Sequence, residues 1–291
     1  MPKLLCLGYG FSATRIADHA RAEGWSVVVT CRSEEKRAAL LANGVETHVF
    51  DRGSPLRDPK SVFAGVTHIL SSVPPDIQGD SVLDHHGQDI LAAEDVEWVG
   101  YLSTTGVYGD TGGLVVDEDA PLKPSSDRSQ RRALAEEGWR LLWERHGVPT
   151  HVFRLAGIYG PGRSTVDQVR AGRARRIDKP GHVFSRIHVD DIAQIVWASV
   201  SQPSPGDIYN VCDNEPAAPS DVVTYVCDLL GVPAPEPVPF EEALKSMSPM
   251  GLSFWGDNRR VSNARLTSAL GVTLLYPTYR EGLRALANDS D

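Results

Sequence analysis

Four apolar residues, Leu4–Leu7, run straight into Gly8-Tyr9-Gly10-Phe11-Ser12-Ala13, and a helical repeat begins at once behind them. In that repeat Ala13, Ile16, Ala17 and Ala20 fall at i, i+3, i+4 and i+7, one face of a helix. A chain that leaves a strand, turns at once and re-enters as a helix points its first helical amides at whatever lies beyond the strand end. Gly8 permits the tight turn, and Gly10 lets a pyrophosphate approach those amides across Phe11 and Ser12. Ala13 replaces a third glycine and still allows close helix packing. A glycine string alone is weak, but between a first strand and a first helix it points to a dinucleotide site. The alternative left open by the residues is a glycine turn that holds no ligand.

Up to residue 155 the chain alternates short apolar runs with helical periodicity. Residues 4–7, 25–30, 47–50, 68–71, 98–102 and 150–153 read as buried strands, and 34–42, 85–95 and 129–146 as helices. Such alternation predicts an α/β fold, a Rossmann-type doubly wound parallel sheet covered on both faces. The dinucleotide-binding domain is placed at 1–155, also receiving segments near 186–212. Beyond 155 the texture changes to loops and proline clusters such as PAPEPVP, with helices at 190–201, 220–230 and 280–287. This reads as a smaller, discontinuous C-terminal substrate-binding lobe over 156–291.

The bulk numbers exclude several classes. A net charge of −9 argues against non-specific nucleic-acid binding, which needs a basic surface. No apolar stretch approaches the ~18–20 residues of a membrane span. Cys6, Cys31, Cys212 and Cys227 are scattered and form no C-x-x-C pair, so neither a disulfide framework nor a metal site is expected. The first residues form too short an apolar run for a signal peptide, and the cytoplasm is the expected location.

The second strand ends at Thr30-Cys31-Arg32-Ser33, where NAD-preferring folds usually carry a carboxylate for the ribose 2′-hydroxyl. None appears before Glu34. Arg32 can instead pair with a 2′-phosphate, with Ser33 as a second donor and Lys36 nearby, which favours NADP over NAD. The bland alternative is a solvated arginine. Asp51, closing the third strand, can accept from an adenine amino group or can be an exposed turn carboxylate. Ser71 and Ser72, ending the fourth strand, fall along the same cofactor cleft.

Four further strings follow in order: STTGVYGD at 103–110, FRLAGIYGPGR at 153–163, RIHVDDIA at 186–193 and IYNVCDNEP at 208–216. With the glycine-rich start they resemble the extended short-chain dehydrogenase/reductases, which include the nucleotide-sugar epimerases and dehydratases. The resemblance implies a catalytic hydroxyl at Thr104. It also implies a Y-x-x-x-K pair on the following helix, the Tyr exchanging a proton and the Lys bonding the nicotinamide ribose. This chain departs there: Arg128 stands at the Tyr position and Arg132 at the Lys position, with no Tyr between Tyr108 and Tyr159. A positioned general acid/base contributes about 10²–10⁴ in rate, and an arginine stays protonated. Arg132 still offers charge and ribose hydrogen bonds.

The pattern is similar to the atypical branch of that family, which keeps the fold and cofactor site but often lacks the active-site tetrad. Tyr108, Tyr159 and His188 are the remaining candidates for a proton relay, each with packing as its alternative role. The basic run Arg170, Arg173, Arg175, Arg176, Lys179 and Arg186 reads either as a site for a small anionic or sugar-nucleotide-like substrate or as a solvated loop. Arg259 and Arg260 stand as a second anion contact on the same terms. The expectation is an NADP-dependent oxidoreductase or epimerase-like enzyme; the alternative is a non-catalytic NAD(P)-binding sensor or partner protein. Relatives often dimerise through helices that fall here at about 85–95 and 129–146, which leaves a homodimer open.

Overall fold

The computed structural model describes residues 1–289. In chain order its first half runs β1 (Lys3–Leu7), α1 (Phe11–Ala22), β2 (Ser26–Cys31), α2 (Glu34–Ala42), β3 (Glu46–Val49), α3 (Pro59–Phe63), β4 (His68–Ser71), α4 (Ser81–Leu91), β5 (Trp98–Thr104), β6 (Val115–Val116), α5 (Asp127–His146) and β7 (Thr150–Leu155). The second half runs β8 (Gly157–Tyr159), α6 (Thr165–Arg170), β9 (Ile177–Asp178), β10 (Arg186–His188), α7 (Val189–Ser201), β11 (Ile208–Val211) and α8 (Pro219–Leu230). It ends with β12 (Val238–Pro239), α9 (Phe240–Leu244), α10 (Pro249–Trp255), β13 (Arg260–Val261), α11 (Ala264–Leu270) and α12 (Tyr279–Asn288).

Seven strands form one sheet in the order β3-β2-β1-β4-β5-β7-β11. The pairs β1/β2, β1/β4, β2/β3 and β4/β5 are parallel, with Leu5 opposite Val28 on one side and Ile69 on the other. This is the α/β Rossmann-like architecture that the alternation predicts. The strand order reverses between β1 and β4, and a ligand crevice opens at the carboxyl ends of strands flanking such a switch point. The glycine string follows β1, and Ser71 ends β4.

All six apolar runs form strands, and α2 spans 34–42 as its periodicity predicts. Helix α4 starts at Ser81 rather than 85, because Asp80 caps it, its carboxylate accepting from the amides of Val82 (2.9 Å) and Leu83 (3.2 Å). The core under the sheet joins Leu5, Leu7, Ile69, Val99 and Tyr101 to Trp139 and Ala135 of α5. The chain divides into two compact units. One comprises Met1–Thr104, Gln130–Arg154 and Ala193–Tyr209; the other comprises Thr105–Ser129, Leu155–Ile192 and Asn210–Asp291. Residues 105–129, which the alternation alone kept with the first lobe, thus group with the second. That second unit has its own core of Tyr159, Val166, Val222, Val226, Tyr279 and Leu283.

Candidate functional site

In the first unit, Gly8 has φ +90°, a conformation that L side chains rarely adopt, and its amide donates to Thr30 Oγ1 at 2.7 Å. A Cβ on Gly8 would lie 2.7 Å from Ser72 Oγ, whose hydroxyl donates to the Gly8 carbonyl at 3.2 Å. Gly10 caps α1 with φ −102° and ψ −169°, and among the described residues a Cβ there would meet no atom within 4 Å. Helix α1 starts without a side-chain cap and with no acidic residue in its first turn. An uncapped first turn carries partial positive charge, the condition an anion needs. Ser12 and Ala13 are buried behind it, so the turn cannot slide.

Arg32, exposed, follows β2 directly. Ser33 caps α2 by accepting from the Lys36 amide at 3.2 Å, which leaves its hydroxyl proton for another partner. Lys36 Nζ donates to the Tyr9 carbonyl at 2.7 Å, tying α2 to the glycine turn, and Arg21 Nη2 donates to the Tyr9 hydroxyl at 3.2 Å. Glu34 is ion-paired with Arg37. Asp51 lies just past β3 in a turn closed by its own amide to Ser54 O and by the reverse bond, both 3.1 Å. Ser71 is fully buried, and among the described residues its Oγ has no hydrogen-bond partner.

Thr104 ends β5, half-buried. Arg132, on α5, donates through Nη1 to the Leu102 carbonyl at 2.8 Å and to the Tyr101 hydroxyl at 3.1 Å, so it is moored to the same strand. One turn further along α5, Glu136 accepts from Ser103 Oγ at 2.7 Å and is bound by Arg154 at 2.6 Å; the two charged side chains are 1% and 3% exposed. The sequence gives no sign of this pair, because Glu136 sits in the charged run RSQRRALAEEGWR.

The second unit holds the tyrosine and histidine candidates, and all three are buried. The Tyr108 hydroxyl donates to Asn210 Oδ1 at 2.7 Å. The Tyr159 hydroxyl lies where a Cβ on Gly282 of α12 would be 2.1 Å away, and burial, with Asp213 and Asp191, pushes its pKa well above the usual phenol range. His188 packs edge-on against Tyr159 at 5.2 Å and tilted against Tyr276 at 4.2 Å. Arg128 is exposed at the start of α5, its guanidinium 5.5 Å from the Phe254 ring centre.

Four members of the basic run donate to backbone carbonyls. Arg170 donates to Ala287 O at 2.9 Å, Arg176 to Pro235 O at 3.3 Å and Lys179 to Trp255 O at 2.6 Å. Arg186 donates to the carbonyls of Phe184 and Ala217, and Arg175 to Ser246 Oγ. These contacts staple distant segments of the unit to one another. Arg259 and Arg260 likewise donate to Gly109 O and Gly113 O.

Residues 88–212 match the model of the NAD dependent epimerase/dehydratase family. Among curated relatives, protein YeeZ of Escherichia coli K12 is 26% identical, covering 95% of this chain and 97% of its own. A dTDP-glucose 4,6-dehydratase of Neisseria meningitidis is 27% identical over 80% of this chain and 68% of its own. Among solved structures, a functionally unknown conserved protein from Silicibacter pomeroyi is 46% identical with a TM-score of 0.88, covering 99% of both chains. The human epimerase family protein SDR39U1, solved with NADPH, shares the fold at 16% identity and a TM-score of 0.75, covering 99% of this chain and 100% of that one.

In the second unit Asp213 makes stability depend on pH. It is 1% exposed, its Oδ2 has no hydrogen-bond partner among the described residues, and burial pushes its carboxyl from 3.8 up to about 7. The native state then binds more protons than the unfolded chain between those values, so this group's contribution to stability falls as pH rises through that window. Asp213→Asn is expected to stabilise the protein at pH 8 by on the order of 1–3 kcal/mol, with the gain vanishing near pH 4. Denaturant midpoints at the two pH values check this; an equal effect at both would contradict it.

Proposed function

We propose that the chain binds NADP(H) at the β1–α1 turn and is an NADP-dependent oxidoreductase or epimerase-like enzyme acting on a small anionic or sugar-derived substrate. The observation that carries the binding step is Gly10: uncapped helical amides, open space where its side chain would stand, and the switch point of the sheet beside it. The cofactor, when bound, would supply hydride chemistry; the chain's own residues bind and orient. Phe11, Ser12 and Ala13 would present amides to the pyrophosphate, and Arg32 and Ser33 would take the 2′-phosphate. Asp51 would take the adenine amino group, and Ser71 and Ser72 would line the cleft. Thr104 would hydrogen-bond the reacting oxygen of the substrate, and Arg132, moored to β5, would supply positive charge and ribose contacts.

A second reading is favoured by the tyrosines. Arg128 holds the usual Tyr position, the Tyr108 hydroxyl is committed to Asn210, and Tyr159 is packed against Gly282. A chain so arranged is a non-catalytic NAD(P)-binding sensor or partner protein. Following NADPH absorbance with a panel of carbonyls and sugar nucleotides separates the two. Saturable turnover that Thr104→Ala abolishes supports the enzyme; tight binding with no turnover across the panel removes it.

Nucleotide preference gives a second test. Arg32→Ala is expected to weaken NADPH about 10–100-fold, the worth of the charge-assisted bonds lost, while leaving NADH within about twofold. Calorimetric titration of both nucleotides reads the ratio. Equal loss for both would contradict a 2′-phosphate contact.

A further inference from the structure

The segment Ser72–Asp80, between β4 and α4 in the first unit, is anchored at both ends. At its start the Ser72 amide donates to Leu7 O at 2.9 Å, and its hydroxyl meets Gly8 O, so it begins against the glycine turn. At its far end the Asp76 amide donates to Gly79 O at 2.9 Å, Asp76 Oδ1 accepts from the Gln78 amide at 2.8 Å, and Asp80 caps α4. One residue reaches this end from the turn that carries Asp51. Arg52 donates through Nε to the Asp76 carboxylate, and its Nη2 lies 2.8 Å from Asp84 Oδ2 on α4. Its carbonyl accepts from His85 Nε2 at 3.1 Å.

We infer that Arg52 is a latch at the adenine end of the nucleotide site: by pairing Asp76 and Asp84 it holds Ser72–Asp80 as a wall beside Asp51 and thereby sets affinity for the adenosine half. The inference rests on the dinucleotide reading. Two physical arguments support it. The side chains of Arg52, Asp76 and Asp84 are 21%, 40% and 45% exposed, and ion pairs so exposed add only about 0–1 kcal/mol each to folding. Fixing a wall in advance instead removes an ordering cost of about 0.5–1.5 kcal/mol per side chain from the binding step. Charge adds to this. Without Arg52, Asp51, Asp76 and Asp84 leave three carboxylates beside the path of a polyanion. The flat guanidinium can reach both partners at once, which an ammonium cannot. Arg52 is therefore a positioning residue, acting through the wall.

The test uses the full chain and four ligands: NADPH, NADH, ADP-ribose and reduced nicotinamide mononucleotide, titrated calorimetrically. Arg52→Ala is expected to weaken the three adenine ligands alike, by about tenfold, with the NADPH-to-NADH ratio unchanged and the mononucleotide unaffected. Arg52→Lys should recover part of the loss, and Asp76→Asn should reproduce most of it. The thermal midpoint should shift by no more than about 2 °C. Adenine-ligand affinities within twofold of the unmodified protein in both Arg52→Ala and Asp76→Asn would overturn the latch alone. Equal loss for the mononucleotide would assign Arg52 a general structural role and overturn it too. An unmodified protein that binds none of the adenine ligands would overturn the dinucleotide reading and the latch with it.

Discussion

Replacing Gly10 with valine is expected to weaken NADPH binding by about 100-fold or more while the protein stays folded. The two halves of that expectation have separate causes. At φ −102° the backbone accepts any L residue, and among the described residues the new Cβ meets no atom within 4 Å, so the side chain grows into open space. Valine is a poorer N-cap than glycine, which costs up to about 1 kcal/mol of stability. A branched side chain there nevertheless stands in front of the first-turn amides. Charge-assisted hydrogen bonds are worth about 1.5–3 kcal/mol each, so losing one or two suffices for the 100-fold effect. Gly8 behaves differently: its positive φ and the Ser72 hydroxyl beside it make any substitution a folding defect first. Gly10 therefore separates binding from stability. Fluorescence titration with NADPH beside a thermal melt checks both halves, and unchanged affinity in a folded Gly10→Val would contradict the site.

Glu136→Ala should destabilise the chain by about 3–5 kcal/mol, a large part of the ~5–15 kcal/mol that holds a typical domain together. Truncation leaves Arg154 buried without its counter-charge and takes the acceptor from Ser103 Oγ. The cost lies in the stranded guanidinium rather than in the pair itself. A double change, Glu136→Leu with Arg154→Met, is accordingly expected to be far milder than either half, because it removes both charges and keeps the volume. Denaturant midpoints of the two singles and the double decide this; additive losses would contradict it. Since Ser103 precedes Thr104, and Arg132 lies one turn from Glu136, the same pair fixes both ends of the proposed chemistry. Glu136→Gln should therefore lower turnover more than it lowers NADPH affinity.

Six of the seven strands that build the sheet are legible because each is a short apolar run bounded by turn residues. Their order is not, since periodicity says nothing about which strand lies beside which. β11 lay inside the quoted string IYNVCDNEP, but its four residues carry an asparagine and offer too short a pattern to read as a strand. The glycine turn is legible because the dinucleotide site proposed for it needs a missing side chain, and a missing side chain is visible in a sequence. The Glu136–Arg154 pair was hidden for the opposite reason: a buried charge looks like a solvated one until its partner, 18 positions away, is in place. The basic run shows the same limit from the other side. Arg170, Arg176, Lys179 and Arg186 read in the sequence either as an anion site or as a solvated loop, and the carbonyls to which each donates are not visible there. The role of Arg52 is not legible in the sequence, because the aspartates it joins lie far along the chain.

The central claim is that the first amides of α1 hold a nicotinamide dinucleotide, and titrating the unmodified protein with NADPH by calorimetry tests it most directly. Saturable binding to one site per chain, competed by 2′,5′-ADP, is the outcome this account requires. Absence of any saturable heat with NADPH and NADH alike would contradict it.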